Sequence, residues 1–192
     1  MYENLIIIHW PDPRLKKPSV PVVKFDVRLR LLAARMLELM HASKGVGLAA
    51  PQVGLNVRLF VMNPTGQPPD DTIYVNPILT EGEGDEEAEE GCLSLPGIYV
   101  QVSRFKSLRM QAMDVDGNPI DQAKSGILAR IWQHEFDHLN GTILLDRMGT
   151  VAKLTNRKKL KTLQEEYLAA HPPAAVPVRP ARKKRVLGKS LK

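Results

Sequence analysis

The chain has 192 residues, 43% of them hydrophobic, a single Cys, and 27 Lys+Arg against 21 Asp+Glu, for a formal charge of +6. Seven of the basic residues and none of the acids fall in residues 172–192, so 20 basic residues face 21 acidic ones in the remainder and the body is close to neutral. A chain of this size buries about two thirds of its unfolded surface without help from disulfides or metal, and a lone thiol excludes an internal disulfide framework.

In chain order, the apolar run at residues 5–8 is too short to cross a bilayer, and Glu3 stands where a secretory signal carries positive charge. With the single Cys, this predicts a cytoplasmic protein. Asp26 caps a predicted helix through Leu29, Leu32, Met36 and Leu39/Met40, whose three-to-four spacing forms one apolar stripe ending near Ser43-Lys44-Gly45. Short antiparallel strands are expected over 57–62, 73–75 and 78–80, separated by turn-forming residues, and residues 81–90 are compositionally acidic. Leu108, Met110 and Ala112 alternate with polar residues as in a half-buried strand, and Asp116-Gly117 supplies a tight reversal. Ser125 precedes a second apolar stripe, Ile127, Leu128, Ile131, Trp132, His138 and Leu139, closed by Asn140-Gly141, and a basic amphipathic helix follows over 153–170. The absence of βαβ alternation predicts an α+β fold with antiparallel or mixed sheets around a central metal-binding helix, flanked by an N-terminal and a C-terminal helix. Residues 1–171 read as one catalytic domain, and 172–192 as a basic Pro/Ala-rich tail too poor in apolar side chains to offset its ordering entropy.

His134-Glu135-Phe136-Asp137-His138 lies on the second of these helices, where residues four apart differ by about 40° around the axis, so both imidazoles project from one face. Glu135 sits where it can reach a metal-activated water as general base. A catalytic site needs a third protein ligand and an open position. The metzincin pattern places a His where this chain has Leu144, so that ligand is absent. Glu165 or Glu166 would complete a zincin-like endopeptidase, but both lie on the basic final helix. Cys92, between Gly91 and Gly97 in a shaped loop, is the better donor, because thiolate is a strong soft ligand and no disulfide partner exists for it. Gly45-Val46-Gly47-Leu48-Ala49-Ala50 formally matches a dinucleotide fingerprint, but a helix precedes it and Pro51 follows it, opposite to what that motif requires. Its glycines suit close backbone approach to a ligand, with Gln52 offering an amide donor to a developing oxyanion. A nucleic-acid-binding module built on a closed structural metal would need four ligands, and three are evident.

These segments, Gly45-Val46-Gly47-Leu48-Ala49-Ala50-Pro51-Gln52, Glu90-Gly91-Cys92-Leu93-Ser94 and His134-Glu135-Phe136-Asp137-His138, together resemble the three signature motifs of peptide deformylases, in family order. The resemblance implies removal of the N-formyl group from formylmethionyl nascent chains, with release of formate. It also implies one divalent metal, Fe(II) in the native state, held by Cys92, His134 and His138; Zn, Ni or Co can substitute. Coordination would bring the pKa of a bound water from 15.7 towards ~7, making hydroxide available for attack on the formyl carbon. By motif position Glu135 is the acid/base, and the Gln52 side chain and the Leu93 backbone N–H form the oxyanion hole. Gly47 and Gly91 would contact the substrate, and Val46, Ile127 and Ile131 would line the methionine pocket. Glu90 is expected to pair with Arg104 and so steady the Cys92 loop. For Arg130, on the metal helix, a place near the pocket and a solvent-facing one remain equally open. The basic final helix and tail have the charge of a ribosomal RNA contact; no nucleotide cofactor and no membrane partner are expected.

Overall fold

The structure, a computed structural model, describes residues 2–172. Apart from Pro172, the basic tail expected over 172–192 lies outside the described residues. Helix α1 (Val27–Ala42) forms where the apolar stripe predicts it. The Asp26 carboxylate accepts from the backbone N–H groups of Arg28 and Leu29, satisfying two of the donors a helix start leaves open. Strands β1 (Gly47–Ala49), β2 (Leu59–Met62), β3 (Thr72–Cys92), β4 (Leu95–Met113) and β5 (Pro119–Ser125) pair in sequence order into one antiparallel sheet. Four helices follow, α2 (Gly126–Leu139), α3 (Leu144–Arg147), α4 (Thr150–Thr155) and α5 (Arg157–Ala170).

Strand β2 explains the layering. All four of its residues are buried, as expected of a strand covered on both faces. Leu59 and Val61 join Leu29, Leu32, Met36 and Met40 of α1 in one core, whereas Phe60 and Met62 join Trp132, Ile131 and Leu139 of α2 in another. The sheet is therefore held between the two helices, and α2 crosses the face formed by β1, β2, β4 and β5. A third core, Cys92, Leu95, Ile98, Val100, Val102, Leu144 and Leu163, closes the end of the β3–β4 hairpin beneath α3 and α5.

Four expectations change. The strands predicted at 73–75 and 78–80 are parts of the single long β3, which continues through the acidic stretch to Cys92. Cys92 therefore stands at a strand end, within the third core, and not in a shaped loop: it pairs with Leu95 across the two-residue turn Leu93-Ser94. The predicted strand over 57–62 begins at Leu59, after Val57 has made an isolated parallel bridge to Val20. The final helix predicted over 153–170 is broken at Asn156 into α4 and α5.

Helix α2 ends as its sequence indicates. Gly141 adopts φ +71°, and the Gly141 and Thr142 N–H groups donate back to His138 and Asp137 carbonyls. A Cβ at Gly141 would come to 2.6 Å from the Lys16 carbonyl oxygen. Gly141→Ala should therefore cost at least the roughly 1–2 kcal/mol of a left-handed non-glycine residue, lowering the urea midpoint. Gly149→Ala, with no atom within 4 Å of its new Cβ, should stay within about 0.5 kcal/mol of the parent.

Candidate metal centre

Three elements meet at the site. Helix α2 presents His134 and His138 one turn apart, their ring centroids separated by 5.1 Å. The end of β3 presents Cys92, whose Sγ lies 3.3 Å from His138 Nε2. One ligand atom from each of Cys92, His134 and His138 falls within 4.8 Å of the others, the only such group of three among the described residues. Glu166, the alternative ligand, is exposed on α5 and outside this group, as is Glu165.

The donor set fits a divalent cation: one thiol and two imidazoles converge, and the buried His138 Nδ1 and Glu135 Oε2 have no hydrogen-bond partner among the described residues. Burial, with the fields of His134 and Arg104, holds His138 well below the ordinary imidazole range, so it is a neutral donor. Burial acts on His134 in the same sense, but hydrogen bonding to Cys92 and Glu90 outweighs it and raises that ring well above the ordinary value.

A third segment completes the wall. Residues Ala50–Val53 form a 3-10 turn after β1, with Gln52 fully buried. The Ala49 N–H donates to Gln52 Oε1 (2.8 Å), which turns the amide NH2 towards Cys92 Sγ (3.6 Å) and Ser94 Oγ (3.3 Å). The N-terminal segment steadies both pieces: Ile8 N–H donates to the Gln52 carbonyl and Trp10 N–H to that of Ser94. Gly47 has to be glycine, because a Cβ there would collide with the Glu135 carboxylate.

Glu90 lies behind His134 with both carboxylate oxygens occupied. Its Oε1 accepts from Arg104 Nε (2.8 Å) and Arg130 Nη1 (2.8 Å), and its Oε2 accepts from Arg104 Nη2 (2.9 Å) and lies 2.9 Å from His134 Nδ1. Burial alone would raise this carboxyl, but Arg104 and His134 prevail and hold it well below the usual range. Arg104 also donates to Asp137 (2.8 Å), which Arg147 grips from its other side (2.9 Å). Glu135 has no such partner among the described residues, and burial pushes its carboxyl up to about 7.

These groups face a cleft of about 590 Å³. Its walls include Val46, Gly47, Gln52, Gly91, Cys92, Leu93, Ile127, Ile131, His134 and Glu135, all singled out from the sequence. Ile98 and Tyr99 line it too. Sequence reading missed Asp137 and Arg147, and it left Arg130 open, whereas Arg130 is buried. One signal was available for Arg104. It occupies the inward register of β4 after Ile98, Val100 and Val102, where an unpartnered charge would not survive.

Similarity to known proteins agrees with this geometry. The family model described as Polypeptide deformylase matches residues 5–154. The peptide deformylase of Rhodopirellula baltica is 47% identical over 147 residues, covering 76% of this chain and 73% of that one. That of Thermotoga maritima is 43% identical over 150 residues, covering 78% and 90%. Among solved structures, peptide deformylase from Plasmodium falciparum superposes with a TM-score of 0.84 at 38% identity, covering 86% of this chain and 99% of that one. The Legionella pneumophila peptide deformylase gives a TM-score of 0.80 at 38% identity, covering 88% and 99%. The chain belongs to the polypeptide deformylase family, metal-dependent hydrolases that remove the N-formyl group from nascent peptides.

Proposed function

We propose that Cys92, His134 and His138 hold one catalytic divalent ion, that Glu135 carries the proton, and that Gln52 and the Leu93 N–H receive the oxyanion. The observation that carries this reading is the convergence of the thiol and two imidazoles, two of these groups, Cys92 and His134, on the wall of a cleft that also presents Glu135 and Gln52. The bound ion supplies Lewis acidity, which makes water ionisable near neutral pH. Glu135 takes the proton that the attacking water loses and delivers it to the departing amine, so the C–N bond breaks with formate and a free N-terminus as products. The Gln52 NH2, oriented by the Ala49 N–H, donates to the oxygen on which charge accumulates, a contact typically worth about 2.7–4 kcal/mol of barrier. Val46, Ile127 and Ile131 receive the methionine side chain, and Gly47 and Gly91 allow the substrate backbone close approach. Glu90 and Arg104 fix the orientation of the His134 ring.

Fe(II) is the native ion in this reading, with Zn, Ni or Co able to replace it, since thiolate and imidazole donors suit all four. Residues 1–171 form the catalytic domain. The chain acts in the cytoplasm, in keeping with its lone Cys and with the absence, among the described residues, of a helix long and apolar enough to cross a membrane. The basic α5 and residues 172–192 contact ribosomal RNA near the emerging substrate.

Formate release from a formyl-Met-Ala-Ser peptide by anaerobically purified protein tests the reaction. Glu135→Ala should retain metal and lose about 10²–10⁴-fold in turnover. Cys92→Ser should lose the metal, and Glu166→Ala should change neither; metal loss in the Glu166 variant alone would support an endopeptidase. Gly47→Ala, which displaces the Glu135 carboxylate, should cost on the order of 100-fold in kcat/KM at unchanged metal content. Removing residues 172–192 should weaken ribosome binding and flatten its salt dependence, and an unchanged affinity would refute the RNA contact.

A further inference from the structure

Arg130 is buried on α2 exactly one turn before His134 and is anchored to two strands. Its Nη1 donates to Glu90 Oε1 (2.8 Å) and to the Val102 carbonyl (2.9 Å), and its Nη2 donates to the Glu86 carbonyl (2.6 Å). The guanidinium therefore joins the helix that carries both histidines to β3, which carries Cys92 two residues beyond Glu90, and to β4. Neutralising Glu90 does not require it, because Arg104 already binds that carboxylate through two parallel N–H groups. A second buried guanidinium on one carboxylate is costly to desolvate, and the half-exposed Glu86 carboxylate, 3.8 Å from Nη2 and beyond hydrogen-bond reach, offsets only part of that cost, so charge balance alone does not account for it. Three acceptors on two strands, reached by one rigid planar fork, do account for it, because they fix the separation between helix and hairpin.

Resting on the function proposed above, we propose that Arg130 is a positioning residue for deformylation: it locks Glu90 against His134 Nδ1 and sets the spacing between the thiol and the two imidazoles. It acts in two ways. Geometrically, it prevents β3 from sliding along α2, so the three donor atoms stay within reach of one ion. Through Glu90, it shares Oε1 with Arg104, so the carboxylate cannot rotate and its Oε2 stays aimed at His134 Nδ1. The Arg130 side chain also forms part of the cleft wall between Ile127 and Ile131, close to where the first substrate side chain enters.

The test compares wild type, Arg130→Met and Arg130→Lys, each loaded anaerobically with Co(II). Met keeps an unbranched apolar stem on the cleft wall and removes every donor. Lys keeps one charge but cannot span three acceptors. Three quantities are measured: the rate of cobalt loss to excess EDTA, the visible spectrum including the thiolate charge-transfer band, and kcat and KM for formate release. Arg130→Met should lose cobalt about 10–100-fold faster than wild type, with a shifted spectrum and a reduced kcat at little-changed KM. Arg130→Lys should fall between the two.

Wild-type cobalt retention and spectrum in Arg130→Met would overturn the proposal, even if its thermal midpoint dropped, because a merely structural arginine moves only the latter. If Arg130→Met does not fold, Arg130→Lys decides: cobalt loss at least several-fold faster supports the proposal, and loss at the wild-type rate overturns it. Absence of formate release from cobalt-loaded wild type would refute the proposed function instead, leaving the cobalt-loss comparison to judge Arg130 by itself.

Discussion

A buried carboxylate, Glu90, is the point on which the rest of the site depends. Removing a carboxylate from water costs several kcal/mol, and here the cost is met by filling its acceptor positions with two guanidinium groups and an imidazole. Each donor arrives from a different place: Arg104 from β4, Arg130 and His134 from α2. The charge thus acts as a joint between the hairpin and the helix, and a site assembled from both elements needs such a joint. Breaking a buried pair by deleting one partner typically costs about 3–5 kcal/mol, which makes any other relative placement of helix and strand unfavourable. Asp137 extends the same logic outward, held between Arg104 and the half-exposed Arg147.

Rigid elements carry the remaining groups. The two histidines inherit their spacing from helical pitch, which no loop could hold as well, and the helix is pinned by Trp132, Ile131 and Leu139 against the inner face of the sheet. Cys92 inherits its position from strand register and from a turn too short to wander. Gln52 is the exception, since a 3-10 turn is weakly held on its own. Three contacts compensate: its own side-chain oxygen takes the Ala49 N–H, its carbonyl takes the Ile8 N–H, and the turn is buried throughout. The N-terminal segment therefore contributes to the site without touching it.

Much of this was legible in the sequence where a local period coincides with a tertiary role. The stripe of α1, the i, i+4 histidines and the Gly141 stop each express one helical rule, and the structure has them where that rule puts them. The long β3 was hidden because its outward positions, Glu83, Asp85, Glu87 and Glu89, are acidic while inward ones include Glu86, Ala88 and Glu90. Charge on both faces erases the apolar alternation that signals a strand. The same effect concealed Arg130 and Asp137, since a buried charge looks like a solvated one until its partner is known, and of their partners only Arg147 is near in the chain, the others lying 28 or more residues away. The break between α4 and α5 left no apolar trace, since Asn156 falls between Ala152 and Leu160 on the same half-buried face and the apolar spacing runs on through it.

The two glutamates beside His134 show how one site uses a single side-chain type for opposite ends. Glu90 has every oxygen engaged by cationic donors, so it stays ionised and its orientation is fixed; a carboxylate in that state can aim a ring but is a poor proton acceptor. Glu135 is equally buried, yet its Oε2 meets no donor among the described residues and its carboxyl is pushed up to about 7. The difference lies in their neighbours and not in their depth. Glu90 faces β4, where Arg104 interrupts an apolar row, whereas Glu135 faces β1, where its carboxylate fills the space left by the missing Gly47 side chain and meets only backbone. The contrast follows from what each carboxylate meets: Glu90, on β3, has two guanidinium groups and an imidazole around it, whereas Glu135, on α2, packs against the backbone of Gly47.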